Sequence, residues 1–126
     1  AIAGPELVRL LMDEHGFEVG KAISTARACL GYTNHTLLPE ALERWPEELF
    51  ARILPRHHRI IQLIEAAHLA ATSSDIRILE RGEVKMGELA FIMAHRVNGV
   101  SALHSELVKE TVFADLHKTY PNRIIN

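Results

Sequence analysis

The chain has 126 residues, 48% of them hydrophobic and 24% charged, with a net charge of -2 when its histidines are neutral. That is enough for one domain with a core, and the charge balance gives no reason to expect nucleic acid or an anionic membrane as partner. A single cysteine, Cys29, excludes an internal disulfide and reads as a small buried residue in a reducing compartment; every apolar run is too short for a membrane span and no leader is visible, so the expected location is cytoplasmic.

Helical periodicity dominates. Pro5 is suited to a first helical residue, and Leu7, Leu10 and Leu11 then recur at helical spacing until Gly16 offers a stop. A second stripe, Ala22, Ile23, Ala26 and Leu30, predicts a helix over 18–30 ended by Gly31, the two helices forming a hairpin. Residues 32–38 lack helical spacing and read as extended chain or loop. Pro39 is expected to open a short helix ending near Trp45-Pro46. The strongest helical signal covers 47–71, and Pro55 inside it predicts two helices meeting there, because proline removes a hydrogen bond and clashes with the preceding turn.

Beyond the polar loop Thr72-Ser73-Ser74-Asp75, the run Ile76–Leu79 reads as a short strand entering a turn at Glu80-Arg81-Gly82-Glu83. Met86, Leu89, Ala90 and Met93 fall at i, i+3, i+4 and i+7 and predict a helix. Residues 96–100 read as a short strand or loop. Ser101 is placed to cap a helix reaching about Glu110, with Leu103 and Leu107 on one face. The fold class is therefore a mainly α-helical segment with short strands.

Few residues point to chemistry by type and spacing alone. His35 lies in a polar, irregular segment where binding residues often occur, yet a histidine in such a place more often just hydrogen-bonds its own loop. The Asn98-Gly99 pair is ordinarily a turn and Val100 ordinarily core. The remaining histidines, His57, His58, His68, His95 and His104 among them, show no metal-ligand spacing, and helix packing or solvation explains each. Ser101, His104 and Glu106 on one helix do not make a catalytic triad. Arg52, Arg56 and Arg59 read as a solvated face.

Two longer matches carry more. The segment Tyr-Thr-Asn-His-Thr-Leu-Leu-Pro-Glu-Ala-Leu-Glu-Arg-Trp-Pro, from Tyr32 to Pro46, and then Val-Asn-Gly-Val-Ser-Ala-Leu-His-Ser-Glu-Leu, from Val97 to Leu107, resemble, in the same order, two segments that border the glucose pocket of α-glucan phosphorylases. Leu54-Pro55-Arg56-His57 and Thr111-Val112-Phe113 extend the resemblance over nearly the whole chain. The chain departs from the family pattern at Ala94 and Arg96, where the family usually has a serine and a small residue, and the stretch from His58 to Glu83 is shorter.

The resemblance implies the N-terminal domain of an α/β, two-domain, Rossmann-like glucosyltransferase of the GT-B type. Such an enzyme transfers the terminal glucosyl unit of an α-1,4-glucan to inorganic phosphate and yields glucose 1-phosphate. The resemblance also implies that His35 contacts the sugar's 6-hydroxyl, that Asn34 and Thr36 shape its loop, that Val100 packs near the hydroxymethyl group and that Ala41 lines the same cavity. It assigns no catalytic group or metal ligand to this segment. The pyridoxal phosphate of the family, its lysine and the phosphate-binding residues would lie in a further domain. On this reading the chain is an internal piece, inactive alone, whose uncovered faces at Leu7, Leu10, Leu11, Ile60, Ile61 and Ile64 should drive association into a homo-oligomer. The rival expectation is a stand-alone helical module without catalysis.

Overall fold

The computed structural model describes all of residues 1–126, in seven α-helices, one 3-10 turn and six short strands. In chain order these are α1 (Ala3–Asp13), α2 (Val19–Cys29), β1 (Gly31–Thr33), the 3-10 turn Pro39–Ala41, β2 (Arg44–Pro46), α3 (Glu47–Ile53) and α4 (Pro55–Ala71). There follow β3 (Leu79–Glu80), β4 (Glu83–Lys85), α5 (Met86–Ile92), β5 (Arg96–Asn98), α6 (Ala102–Glu110), α7 (Ala114–Thr119) and β6 (Ile124–Ile125). One sheet is parallel with the order β1-β5-β6, and the other is antiparallel with the order β2-β4-β3.

The first two helices form the expected hairpin. Gly16 adopts φ +69°, and the N–H groups of Gly16 and Phe17 return to the carbonyls of Met12 and Leu11 at 3.2 and 2.9 Å, closing the end of α1. The Glu18 carboxylate then caps α2 by accepting from the N–H groups of Gly20 and Lys21. Two expectations here are corrected. Gly31 does not terminate α2: the chain leaves the helix at Leu30 in an extended conformation and Gly31 opens β1. Cys29 is exposed, because α2 turns Ala22, Ile23 and Ala26 to the core and ends at Cys29.

The 47–71 signal divides at Pro55 as its chemistry requires. Part of the basic cluster beyond it ties α4 to α1. Arg56 donates from Nε to Asp13 at 2.8 Å, and His57 Nε2 meets the Glu6 carboxylate at 3.2 Å. The Arg9 guanidinium, helped by His57, holds the Glu6 carboxyl at about 2. Ile60, Ile61 and Ile64 are fully buried in a core of 21 side chains, and Leu7 and Leu11 pack against it. Of the residues expected to pair with other copies, Leu7, Leu11, Ile60, Ile61 and Ile64 thus meet the core of the same chain.

The short helix predicted from Pro39 to Pro46 reduces to the 3-10 turn. Residues 44–46 are instead taken as an outer strand by β4, with Trp45 opposite Val84, and Pro46 disfavours helix at the residue before it. The expected strand at Ile76–Leu79 is shifted to Leu79–Glu80. At its start, Glu65 Oε1 of α4 accepts from the N–H groups of Ile78 and Leu79 at 2.7 and 3.0 Å. Between β3 and β4, Arg81 and Gly82 sit at φ +53° and +76°, the left-handed pair a two-residue hairpin turn requires.

In α6, Ser101 caps as predicted, its Oγ accepting from the His104 N–H at 3.1 Å. Leu103 and Leu107, four apart, share one face of this helix. Ser105 and Val108 point inward while Leu103 is 71% exposed. Under the parallel sheet an aromatic row runs from Tyr32 through Phe113 and Phe91 to Tyr120, with successive centroids 6.1, 5.1 and 6.3 Å apart. His68 lies buried at its end with Nδ1 2.6 Å from the Tyr120 hydroxyl, and burial holds its pKa below the ordinary value.

Candidate functional site

Strands β1 and β5 run in parallel with Gly31 opposite Arg96, Tyr32 opposite Val97 and Thr33 opposite Asn98. Parallel strands leave a sheet at the same edge. Asn34-His35 therefore follows β1 and Gly99-Val100 follows β5 at one carboxyl edge, the place where open α/β sheets bind ligands. The segments quoted above lie far apart in sequence, and this register brings them side by side.

The edge is fastened by polar groups. The Asn34 N–H donates to the Asn98 carbonyl at 2.8 Å, and the Thr33 hydroxyl donates to Asn98 Oδ1 at 2.9 Å. Asn34 is 2% exposed, and its side chain is consumed locally: Oδ1 accepts from the Tyr32 hydroxyl and Nδ2 donates to the Thr36 carbonyl. Burial, reinforced by the Glu88 charge, pushes the Tyr32 phenol above its usual range, so it remains a neutral donor. The Thr36 hydroxyl accepts from the Leu38 N–H at 3.0 Å and turns the chain toward the 3-10 helix.

A cavity of about 300 Å³ opens against this loop. His35, Asn34 and Thr36 border it, as do Ala41 on the 3-10 turn and Glu43 beyond it, while Met86 and Gly87 of α5 supply part of its less polar wall. Its size is at the lower end of the roughly 300–1,000 Å³ of small-molecule sites. Hydrogen-bonding groups on one side and apolar ones on the other suit a small polyhydroxylated molecule. His35 is exposed and can present both a donor and an acceptor. The lining contains neither lysine nor arginine. No three His, Cys, Asp or Glu side chains gather as a metal site.

Val100 stands apart from His35, Asn34, Thr36 and Ala41. It is 59% exposed and does not line the cavity. Its backbone is nevertheless tied to the same edge through the turn entering α6. The Gly99 N–H donates to Ser105 Oγ at 3.1 Å and the Val100 N–H donates to His104 Nδ1 at 3.0 Å. The other nitrogen of that imidazole, Nε2, is 3.3 Å from the Thr36 carbonyl. A Cβ on Gly99 would lie 2.4 Å from His104 Nδ1 and 2.8 Å from the Ser105 nitrogen, so the turn admits only glycine without displacement.

The profile of the carbohydrate phosphorylases matches residues 1–126. The chain belongs to the carbohydrate phosphorylase family. It is 42% identical to a glycogen phosphorylase of Synechocystis sp., 41% to the brain-form glycogen phosphorylase of Ovis aries and 40% to the brain form of Homo sapiens, each over 100% of this chain. It spans only 16% of the length of those relatives.

Within a carbohydrate phosphorylase, then, His35, Asn34, Thr36 and Ala41 meet at one cavity and Val100 sits on the neighbouring turn. Sequence reading missed His104 and Tyr32. Their roles depend on contacts with Thr36 and Asn34, and the only local signal was the position of His104 three residues after a capping serine. No helix of the chain is long and apolar enough to cross a membrane.

Proposed function

We propose that this chain is part of an α-glucan phosphorylase that transfers the terminal glucosyl unit of an α-1,4-glucan to inorganic phosphate, giving glucose 1-phosphate, and that this segment lines the glucose pocket. The observation that carries the reading is the convergence of His35, Asn34 and Ala41 on one small cavity at the carboxyl edge of a parallel sheet, in a chain of the phosphorylase family.

In this reading His35 hydrogen-bonds the 6-hydroxyl of the glucosyl unit. Asn34 acts one step back: with both ends of its amide engaged by Tyr32 and Thr36, it shapes the loop rather than touching sugar. Ala41 bounds the cavity, and Val100 approaches the hydroxymethyl group from the adjoining turn. Such a transfer passes through a cationic sugar, so a pocket that holds the ring by its hydroxyls and excludes water favours phosphate as acceptor. Pyridoxal phosphate supplies proton transfer through its phosphate group when bound. The reading places it and the substrate phosphate in other parts of a GT-B type, two-domain protein.

The test is His35→Ala in the full-length enzyme. Removing a hydrogen bond of about 3 kcal/mol at the transition state should lower kcat/KM toward glucan by about 10²-fold. Unchanged kinetics would leave His35 a loop residue and overturn the assignment.

A further inference from the structure

The His104 side chain bonds both to the turn that follows β5 and to the loop that follows β1. Its Nδ1 accepts from the Val100 N–H at 3.0 Å, and its Nε2 faces the Thr36 carbonyl at 3.3 Å. An imidazole nitrogen that accepts carries no proton, so in the neutral ring the proton resides on Nε2, where the carbonyl can receive it. One tautomer therefore satisfies both contacts. The Thr36 carbonyl also accepts from Asn34 Nδ2, so the loop that presents His35 is fixed from within by Asn34 and from across the sheet edge by His104.

The surroundings hold the ring in place. The His104 N–H is engaged by Ser101 Oγ, and Gly99, with its N–H on Ser105 Oγ, leaves the space next to Nδ1 that any Cβ would fill. Among the site's other ties, the ladder and the Thr33–Asn98 bond join the strands, whereas His104 joins the loops beyond their ends.

The geometry points to His104 as a positioning residue that clamps the Val100 turn to the His35 loop and so sets how His35 meets the sugar's hydroxymethyl end. This rests on the glucose-pocket reading above. A misplacement of about 1 Å in a binding group can lower turnover by about 10²-fold, so loss of the clamp should act through His35 rather than beside it.

The experiment uses the full-length enzyme in the direction of glucan synthesis, with glucose 1-phosphate and its 6-deoxy analogue as donors. The variants are His35→Ala, His104→Leu, His104→Gln and the His35→Ala/His104→Leu double. The expected result is that His104→Leu lowers kcat/KM for glucose 1-phosphate by about 10- to 100-fold and for the 6-deoxy donor far less. The double variant should lose no more than His35→Ala alone, since one residue acts through the other. His104→Gln, whose amide oxygen and nitrogen can replace the two ring contacts, should recover most of the loss and also serves if the leucine variant fails to fold. Equal losses on both donors, or losses that multiply in the double variant, would overturn the clamp while leaving the sugar assignment in place. If His35→Ala itself leaves the preference between donors unchanged, the sugar assignment fails and the clamp falls with it.

Discussion

The two sheets solve the same problem, pairing short strands, by opposite means. In the antiparallel sheet β3 and β4 are neighbours in sequence, and backbone geometry at Arg81-Gly82 sets their register. In the parallel sheet β1 and β5 come from distant parts of the chain, and polar side chains do much of the fastening: Thr33 to Asn98, Asn34 to Thr36, and His104 to Val100 and Thr36. Hydrogen bonds of this kind are directional and position atoms closely while adding only about 1 kcal/mol each to stability. The difference teaches that substitutions at the parallel edge should register chiefly in function and those in the hairpin sheet chiefly in stability.

The largest separation of the two should come from Gly99→Ala. Its Cβ would meet both His104 Nδ1 and the Ser105 backbone, so kcat/KM of the full-length enzyme should fall by more than about 10²-fold, with a stability cost of roughly 1–3 kcal/mol. Steady-state kinetics beside chemical denaturation measure the two, and retained turnover would break the contrast. The reverse case is Val84→Ala. Val84 is fully buried at the centre of the hairpin sheet, and shortening it should cost roughly 1–3 kcal/mol by denaturation while the folded fraction keeps its turnover. A turnover defect comparable to the stability loss would show that the two sheets are not separable. The smallest effect sharpens the hairpin side: Arg81→Asn, which suits the left-handed conformation better, should raise stability by about 0.5 kcal/mol and leave kinetics unchanged.

The same contrast explains what could be read from sequence. The helices of 3–29, 47–71 and 86–92 were legible because a local apolar stripe and its stop signals, Gly16 and Pro55 above all, determine them. The Arg81-Gly82 turn was legible for the same reason. The pairings were not. Nothing local in Arg44-Trp45-Pro46 announces a strand, because β4 makes it one, and nothing in Ile124-Ile125 announces β5 as a neighbour. Cys29 was misplaced because its residue type suggested burial while the end of α2 leaves it exposed. Of the candidate site, His35, Asn34 and Ala41 were found through resemblance of segments, and the structure gathers them at one cavity. His104 escaped because its partners, Val100 and Thr36, are contacts in space.

The distance along the chain between Thr33 and Asn98, 65 residues, also governs the order of assembly. Closing so long a loop costs about 2.5 kcal/mol more entropy than closing the turn between β3 and β4, by the logarithmic growth of closure entropy with length. Hairpins form within about 1–10 μs, whereas pairing across such separations waits for the intervening helices to pack. During that interval β1 has an unpaired edge that another chain could capture. Its three residues, Gly31-Tyr32-Thr33, begin with a glycine and offer very little length to a foreign strand, which limits that hazard while the true partner is still on its way.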